Sequence, residues 1–185
     1  MLARDEADQI LTRVREAGAE GDLIIDQGQA LSLKAKDGEL EEHKVTSSQV
    51  FGLRVIKDGR VGTAYSEAAD PESLQALVQQ ALQNASYAAV EPNEKILPNT
   101  AQLKTDDALL CPDDTASIDA KIDLALEIEA RLASKPKVKN VPYNGVQDGL
   151  GERQLFSTAG LSALSRSRST ACFAYALLEE GENNA

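Results

Sequence analysis

Two Asp-Gly pairs constrain the fold of this chain more than any other feature of its sequence. Each pair separates two strand-like runs: Asp37-Gly38 lies between residues 31–36 and 39–46, and Asp58-Gly59 lies between residues 50–57 and 60–66. A two-residue hairpin turn needs positive φ at both central residues, and Asp followed by Gly adopts such angles at low cost. The two pairs therefore predict two successive β-hairpins, which form an antiparallel meander.

The apolar residues of the second hairpin predict its buried face. Phe51, Leu53 and Val55 recur at every second position of the first strand, as expected where one side of a strand packs on a core. On the returning strand, we expect the residues of the same buried face to be Val61, Thr63 and Tyr65.

Three helices are predicted at residues 3–18, 71–89 and 118–133, because apolar residues recur there at helical spacing. Asp70 followed by Pro71 is typical of a helix start, and Ser117 is a suitable cap for the third helix. The stripe of the third helix is expected to consist of Ile118, Ile122, Ala125, Leu126, Glu129 and Leu132.

Further strands are predicted at residues 138–146, 153–157, 161–167 and 170–178, with turns at 27–29 and 148–151. The fold class is therefore α+β, with an antiparallel β-meander sheet packed with two to three long helices, in the order helix–strands–helix and then helix–strands. We expect two sub-units of about 1–90 and 118–185. A Pro- and Asp-rich connection at 91–117, with one short helical turn, joins them.

Charge and hydropathy exclude two classes of partner. The net charge is −11, and residues 61–133 carry 13 acidic and 4 basic side chains, an imbalance that repels phosphate backbones. No apolar run approaches the roughly 18 residues of a membrane span, and the charged N-terminus lacks the apolar segment of a signal peptide. We therefore expect a cytoplasmic protein that binds neither nucleic acid nor membrane.

No residue pattern in the sequence indicates an active site. His43 is the only histidine; it shares a strand face with Glu41, but a zinc site needs three or four ligands, so we expect a solvated side chain. A Ser-His-Asp triad would also need His43, and no Gly-x-Ser-x-Gly turn presents a nucleophile. The sequence therefore predicts no catalytic, cofactor-binding or metal-binding residue.

The remaining reactive groups are expected to be solvated or inert. Three carboxylate doublets lie in loop-like contexts without the spacing of an EF-hand: Asp106-Asp107, Asp113-Asp114 and Glu179-Glu180. The basic run at 165–169 is interpreted as an exposed strand segment, with contact to a phosphate or a partner as the alternative. Cys172 is expected to pack as a small hydrophobe and Cys111 to lie in a loop, both as free thiols.

Glycine-rich and turn-rich motifs carry a resemblance to a known family. They are Gly52-Leu53-Arg54-Val55-Ile56, Asp58-Gly59-Arg60 and Gly62-Thr63-Ala64-Tyr65-Ser66, followed by a helix that starts with proline. Glu39-Leu40-Glu41 upstream, and residues 156–161 with the strand at 170–178 downstream, are similar to the same family. The chain resembles the N-terminal domain of TldD/PmbA family metallopeptidase subunits, and within that family the PmbA (TldE) type.

This resemblance implies that residues 1–185 are the N-terminal, non-catalytic part of a longer subunit. In the family, a metal-binding His-Glu-x-x-x-His helix lies in the C-terminal domain of the catalytic subunit, where zinc is expected. That motif is missing from this sequence, so the chain is expected to be inactive alone. The family forms dimers around a chamber that hydrolyses unstructured peptides. The resemblance therefore implies a dimer with itself or with a TldD-type subunit, to which this domain contributes chamber shape and dimer contacts.

Two alternatives remain open from the residues alone. One is a free-standing α+β interaction module that adds a partner strand at an open sheet edge, and the other is a small hydrolase that uses His43. The acidic turn sequence that follows residue 178 has no returning strand after it, which indicates truncation, with a frayed tail as the alternative. An unpaired edge at 171–178 further predicts self-association.

Overall fold

The computed structural model describes residues 2–98, 106–180 and 183–184. The helices are α1 (Leu2–Glu16), α2 (Pro71–Tyr87), the short α3 (Asp107–Leu110) and α4 (Ile118–Ala133). The strands are β1 (Glu20–Lys36), β2 (Glu39–Lys57), β3 (Arg60–Ser66), β4 (Val138–Ser157), β5 (Ser162–Glu180) and β6 (Asn183–Asn184).

The strands form a sheet in the order β3-β2-β1-β4-β5-β6. β2 and β3 pair antiparallel. β1 and β4 also run in opposite directions, because the amide of Thr158 donates to the Gly21 carbonyl while Asn144, near the start of β4, bonds to Ala35, near the end of β1. The predicted fold class is confirmed: an α+β protein with an antiparallel sheet, in the order helix–strands–helix and then helix–strands.

Both Asp-Gly pairs form the turns that the sequence predicts. The φ angles are 53° and 79° at Asp37 and Gly38, and 52° and 69° at Asp58 and Gly59. Positive φ at both central residues is the requirement of a type I′ turn, whose twist matches that of the strands it joins. Each turn therefore connects its two strands without an extra residue.

The strands are longer than the sequence predicts. β1, β2 and β4 are continuous, so the predicted turns at 27–29 and 148–151 and the predicted break at 47–49 are wrong. The alternation of apolar residues fades there because these stretches are poorly covered; residues 41–48 of β2, for example, are exposed throughout. β1 also has a neighbouring strand on each side, which pairs its backbone groups through the polar stretch.

α2 and α4 start at their predicted caps, whereas α1 and α2 end two residues before the predicted positions 18 and 89. Asp70 accepts a hydrogen bond from the Ser73 amide at 2.9 Å, and Ser117 accepts one from the Ala120 amide at 3.1 Å. Gly18 follows α1 with a φ of 68°, as is usual after a helix end. α3 lies in the predicted connection at 91–117, of which residues 99–105 are outside the described chain.

None of the helices in the described parts of the chain combines the length and the apolarity that crossing a membrane requires.

The contacts divide the chain into two units that are discontinuous in sequence. The first comprises Met1–Gln27, Ser48–Asp106 and Glu152–Arg166, and the second Gly28–Ser47, Asp107–Gly151 and Ser167–Ala185. The division expected along the sequence, at about 1–90 and 118–185, concerns chain order and stays a prediction. In the first unit, α1 packs against α2, and the largest fully buried side chains are Ile10, Val14, Leu23, Ile25, Phe51, Leu53, Val55 and Leu74.

The second unit has a much smaller core. Leu33 of β1, Ala125 of α4 and Val146 of β4 are its buried apolar cluster. Four partly buried side chains pack around that cluster: Leu31, Leu40, Ile122 and Ile128. With so few apolar contacts, the burial of α4 depends strongly on its polar neighbours.

The register of the second hairpin corrects the predicted buried face of β3. The two-residue turn sets Val55 opposite Gly62 and Leu53 opposite Ala64, and directly opposite residues lie on the same face of a sheet. Gly62 and Ala64 therefore face the core. The prediction for Val61, Thr63 and Tyr65 is wrong, because the turn aligns odd-numbered residues of β2 with even-numbered residues of β3.

α2 explains why β3 presents small residues to the core. A Cβ atom at Gly62 would lie under 3.0 Å from the Ala81 carbonyl oxygen and from the Ala85 amide nitrogen. α2 therefore packs directly on the backbone of β3. A side chain at position 62 can be accommodated only if the helix moves away from the strand.

Gly62→Ala is therefore expected to lower the free energy of unfolding by about 3 kcal/mol, the upper end of the usual cost of overpacking. Urea unfolding followed by circular dichroism measures this difference. Gly52→Ala is the matched control, because Gly52 lies in the paired strand and a Cβ atom there meets nothing within 4 Å. Equal stability of the two variants would contradict the close approach of α2.

Candidate functional site

Four charged side chains meet beside the start of α4, in the second unit. Lys121 Nζ lies 2.5 Å from Asp114 Oδ2 and 2.6 Å from Asp148 Oδ2. Arg168 of β5 places its Nη1 atom 3.3 Å from Asp114 and 3.2 Å from Asp148. We refer to Asp114, Lys121, Asp148 and Arg168 as the α4 ion cluster.

The α4 ion cluster is electrically balanced, and it is buried at Lys121 and Asp148 but partly exposed at Asp114 and Arg168. The side chains of Lys121 and Asp148 are 8% and 10% exposed, and Thr170 Oγ1 donates a further hydrogen bond to Asp148 at 2.9 Å. Two carboxylates face two cations, so mutual attraction offsets the cost of removing these charges from water. The cluster ties the start of α4 to β4 and β5.

The cluster shifts the pKa values of Asp114 and Lys121 in opposite directions. The hydrogen bond from Lys121 lowers the pKa of Asp114. The hydrogen bonds to Asp114 and then to Asp148 raise the pKa of Lys121. Both groups thus stay charged at neutral pH, so neither is suited to accept or donate a proton in catalysis. The arrangement acts as a structural clamp.

A groove of about 500 Å³ lies toward the other end of α4, again within the second unit. The end of β1 and the start of β4 form its walls together with α4. Glu129 lines this groove and is 8% exposed. We refer to it as the α4 groove; its short apolar lining residues are Ala35, Ala133, Val141 and Pro142.

The three lysines that line the α4 groove form ion pairs with two carboxylates, since Lys34 and Lys36 share Glu41. Lys34 and Lys36 lie 2.5 Å and 3.5 Å from Glu41, and Lys139 lies 3.0 Å from Glu179. The hydrogen bond from Lys34 lowers the pKa of Glu41. These pairs are partly exposed, so each adds little to stability, but together they position the charges around the groove.

His43 and Glu41 do not form a site together. His43 is exposed, as the sequence predicts, and Glu41 is engaged with two lysines. Within residues 2–98, 106–180 and 183–184, no group of three or more His, Cys, Asp or Glu side chains could hold a metal ion. The described residues therefore do not fit the ligand set of a catalytic zinc site.

Two of the carboxylate doublets predicted to be solvated contain a residue that forms an ion pair. Asp114 belongs to the α4 ion cluster, and Glu179 pairs with Lys139. Asp106, Asp107 and Asp113 are exposed. The side chain of Glu180 lies outside the described residues.

The basic run at 165–169 lies in β5 and is exposed at Arg166, Ser167 and Ser169, as predicted, but Arg168 is partly buried. Arg168 is 20% exposed within the α4 ion cluster, and Arg166 Nε lies 2.8 Å from Glu152. Glu152 and Asp148 lie in neighbouring β4 and Asp114 lies before α4, and a run of residues in the sequence does not reveal neighbours that come from other segments. The expectation for Cys172 is wrong as well, since it is exposed, whereas Cys111 is partly buried.

Sequence reasoning missed Lys121 on the buried face of α4, whereas Ala125 and Glu129 belong to the predicted stripe. The buried residues of this helix are Lys121, Ala125 and Glu129, while Ile118, assigned to the buried stripe, is 41% exposed. The spacing of four residues between these three was visible in the sequence, since it places side chains on one helix face. A lysine on that face indicates burial only when its partners are known, and Asp148 is remote in sequence.

The sequence matches two domains of one protein family. Residues 21–85 match the PmbA/TldA metallopeptidase domain 1, and residues 111–185 match the PmbA/TldA metallopeptidase central domain. Together these matches cover most of the chain, in the order that the family has. A comparison with the sequences of curated proteins found no significant match.

Solved structures share the fold across nearly the whole chain. A Thermotoga maritima protein described as a candidate modulator of a DNA gyrase has a TM-score of 0.80 at 19% identity and covers 98% of this chain. TldE from Thermococcus kodakarensis has a TM-score of 0.78 at 16% identity, with 97% covered. A Bacteroides thetaiotaomicron protein described as a candidate modulator of DNA gyrase has a TM-score of 0.74 at 15% identity, with 98% covered.

These matches establish the family. The chain belongs to the PmbA/TldD metallopeptidase family, which confirms the resemblance inferred from the hairpin motifs. It spans 41%, 40% and 42% of the three structures named above, about two fifths of their length. At identities below 20% these structures demonstrate the shared fold.

Lys121→Met is expected to lower the free energy of unfolding by about 3 kcal/mol, because it leaves Asp148, which is 10% exposed, and the partly exposed Asp114 with one cation between them. Chemical denaturation measures this loss. The control is Arg131→Met, which breaks an exposed ion pair with Glu127 on the same helix and should cost less than about 0.5 kcal/mol. A similar small loss for both variants would show that the cluster does not clamp α4.

The difference in stability between the wild type and Lys121→Met should also depend on pH. Because its pKa is lowered in the folded state, Asp114 contributes to the free energy of unfolding above about pH 3.9, its pKa in the unfolded chain. This contribution is lost as the pH falls below that value. Because its pKa is raised in the folded state, Lys121 contributes to the free energy of unfolding below about pH 10.4, and this contribution is lost as the pH rises further. Urea titrations should therefore show a constant difference near neutral pH that shrinks at both extremes. A difference independent of pH would contradict this assignment.

Proposed function

We propose that this chain supplies the first and central domains of a PmbA (TldE)-type metallopeptidase subunit, which takes part in the proteolysis of unstructured peptides or in peptide maturation. The observation that carries the proposal is the succession of two domain matches from one metallopeptidase family, over residues 21–85 and 111–185. The likeness to TldE in fold supports the choice of subunit type.

The proposal assigns hydrolysis to residues outside this sequence. The chain contains one histidine, and a His-Glu-x-x-x-His motif needs two. A zinc ion bound by such a motif would activate water for peptide hydrolysis. Residues 1–185 would instead shape the chamber that holds the peptide and form contacts between subunits.

The proposed partner is a second copy of the chain or a TldD-type subunit, in the cytoplasm. A net charge of −11 is consistent with a protein that contacts neither nucleic acid nor membrane. The activity of the assembly, its peptide substrate and its dimeric state are all part of the proposal, because the chain spans about two fifths of the length of the related structures.

A second candidate is a free-standing module that binds partner strands. It is favoured by β5: in the described chain, the outer side of this strand pairs only with Asn183 and Asn184, opposite Glu180 and Glu179. A sheet edge of this kind can accept a strand from another chain. The same edge would serve as a dimer contact under the first proposal.

The test combines peptide hydrolysis with a measurement of assembly. The purified chain, incubated with a quenched fluorescent casein and with or without zinc chloride, should release no fluorescence above buffer. When mixed with a TldD-type subunit that carries the metal motif, it should elute with that subunit, and light scattering should give the summed mass. Hydrolysis by the chain alone would contradict the non-catalytic role, and separate elution from the catalytic subunit would favour the free-standing module.

A further inference from the structure

One side of β2 has no neighbouring strand over the half that follows the Asp37-Gly38 turn. β3 pairs with residues 51–57 of β2, and within the described chain no other strand lies on that side. Residues 41–48 are exposed throughout. The stretch 39–50 is therefore an open sheet edge, and we refer to it as the β2 edge.

The backbone groups of Leu40 point outward at the β2 edge. The two-residue turn sets Leu40 opposite Ala35 of β1. The Ala35 amide and carbonyl both bond to the side chain of Asn144, on the β4 side, so Ala35 does not bond to β2. Alternate residues of an antiparallel strand bond to opposite sides, so Glu42 and Lys44 also direct their amides and carbonyls outward. Such an edge can accept another strand.

The charges of the β2 edge are arranged around His43. Glu42 precedes it, Lys44 follows it, and both side chains are exposed. When two copies of one strand pair antiparallel about a two-fold axis, the residue before the central one faces the residue after it in the other copy. A centre at His43 therefore sets Glu42 opposite Lys44 of the other copy, and this attractive contact occurs twice.

Other alignments of two β2 edges are less favourable. A centre at Glu41 or Glu42 sets two glutamates opposite each other, and a centre at Lys44 sets two lysines opposite each other. Charged side chains on an edge strand usually discourage pairing with other chains. Here they discourage the alignments that bring like charges together and favour the one centred on His43. The complementary partner of the β2 edge is thus the same edge of a second copy.

We propose that two copies of this chain pair through their β2 edges, antiparallel and centred on His43, so that one sheet continues across both copies. Glu42 of one copy then exchanges backbone hydrogen bonds with Lys44 of the other, and the two His43 side chains lie opposite each other. The inference rests on the proposed function for the role of subunit contact, and it assigns that contact to a second copy and to one strand.

The first test measures the dimer by analytical ultracentrifugation of the purified chain over a range of concentrations. A monomer–dimer equilibrium is expected. Lys44→Glu and Glu42→Lys should each raise its dissociation constant about tenfold, because both contacts between the copies change from attractive to repulsive. A chain that stays monomeric at every concentration, or a dimer that neither substitution weakens, would overturn the proposal.

Lys57→Glu is the matched control for these charge reversals. Lys57 is exposed on the same strand, but it lies opposite Arg60 in the part of β2 that β3 covers. The reversal should therefore leave the dissociation constant unchanged. An equal weakening by Lys57→Glu would show that the net charge of the chain, and not the β2 edge, controls association, and the proposal would fail.

Mixing the two edge variants tests the alignment. A copy with Glu42→Lys carries lysine at both positions, and a copy with Lys44→Glu carries glutamate at both, so each contact in a mixed dimer joins opposite charges. An equimolar mixture is expected to dimerise at concentrations at which each variant alone is monomeric. The double variant should likewise recover the dissociation constant of the wild type. Absence of both recoveries would overturn the proposal, even if each single variant were weakened.

A disulfide locates the centre of the pairing. Facing residues of a non-hydrogen-bonded pair have Cα atoms about 4.5 Å apart, within the range of a disulfide. In a chain with Cys111→Ser and Cys172→Ser, oxidation by copper phenanthroline should link two copies through His43→Cys, as seen on a non-reducing gel. Val45→Cys is the control, because its two sulfur atoms would be separated by four residues, or about 13 Å. Equal linking by both variants would overturn the centre at His43.

Failure of this inference is distinguishable from failure of the proposed function. A chain that is monomeric alone but elutes with a TldD-type subunit would overturn the pairing of β2 edges and leave the proposed function in place. Hydrolysis of casein by the chain alone would contradict the proposed function, whereas the dissociation constants of the edge variants would still support the pairing.

Discussion

The positive φ angles of the Asp-Gly turns determine which side chains the helices meet. The turn at Asp58-Gly59 aligns position 57 with position 60, and this alignment brings Gly62 to the face that α2 covers. The helix can then approach the strand backbone, because Gly62 has no side chain to separate them. A turn one residue longer would present Val61 instead, and the helix would have to withdraw. The packing of the first unit thus depends on the geometry of four backbone torsions.

Local signals in the sequence were sufficient for the helices and turns, and insufficient for strand length. Asp70, Ser117 and the Asp-Gly pairs act on their immediate neighbours, so their effect is legible from the sequence. The continuity of β1 through residues 27–29 depends on the strands beside it, which come from distant segments. A polar stretch that receives backbone hydrogen bonds from both sides stays extended, and one without neighbours forms a turn. Sequence periodicity does not distinguish these cases.

The charged groups of the second unit were predictable only in part, for a related reason. His43 was correctly expected at the surface because nothing near it in sequence could complete a site. Lys121 and Arg168 were not expected to be buried, because Asp148 reaches them from another strand. The family, by contrast, was recognisable from its hairpin motifs, since glycines and turns are fixed by backbone geometry. The fold class and the family could therefore be predicted from the sequence, whereas the buried charges of the second unit could not.

The packing of the second unit depends on whether the side-chain amide of Asn144 is chemically intact. Its amide accepts from the Ala35 amide and donates to two carbonyl oxygens, a role that the isosteric aspartate cannot fill because a carboxylate oxygen would face those carbonyls. Asn is among the thermolabile residues, and here it precedes Gly145, which has no side chain to shield the amide in an unfolded chain. The folded sheet holds this amide buried and hydrogen-bonded. A molecule that loses the Asn144 amide while unfolded can no longer join β1 to β4 in the same way. Repeated unfolding therefore increases the share of molecules that are altered at this residue.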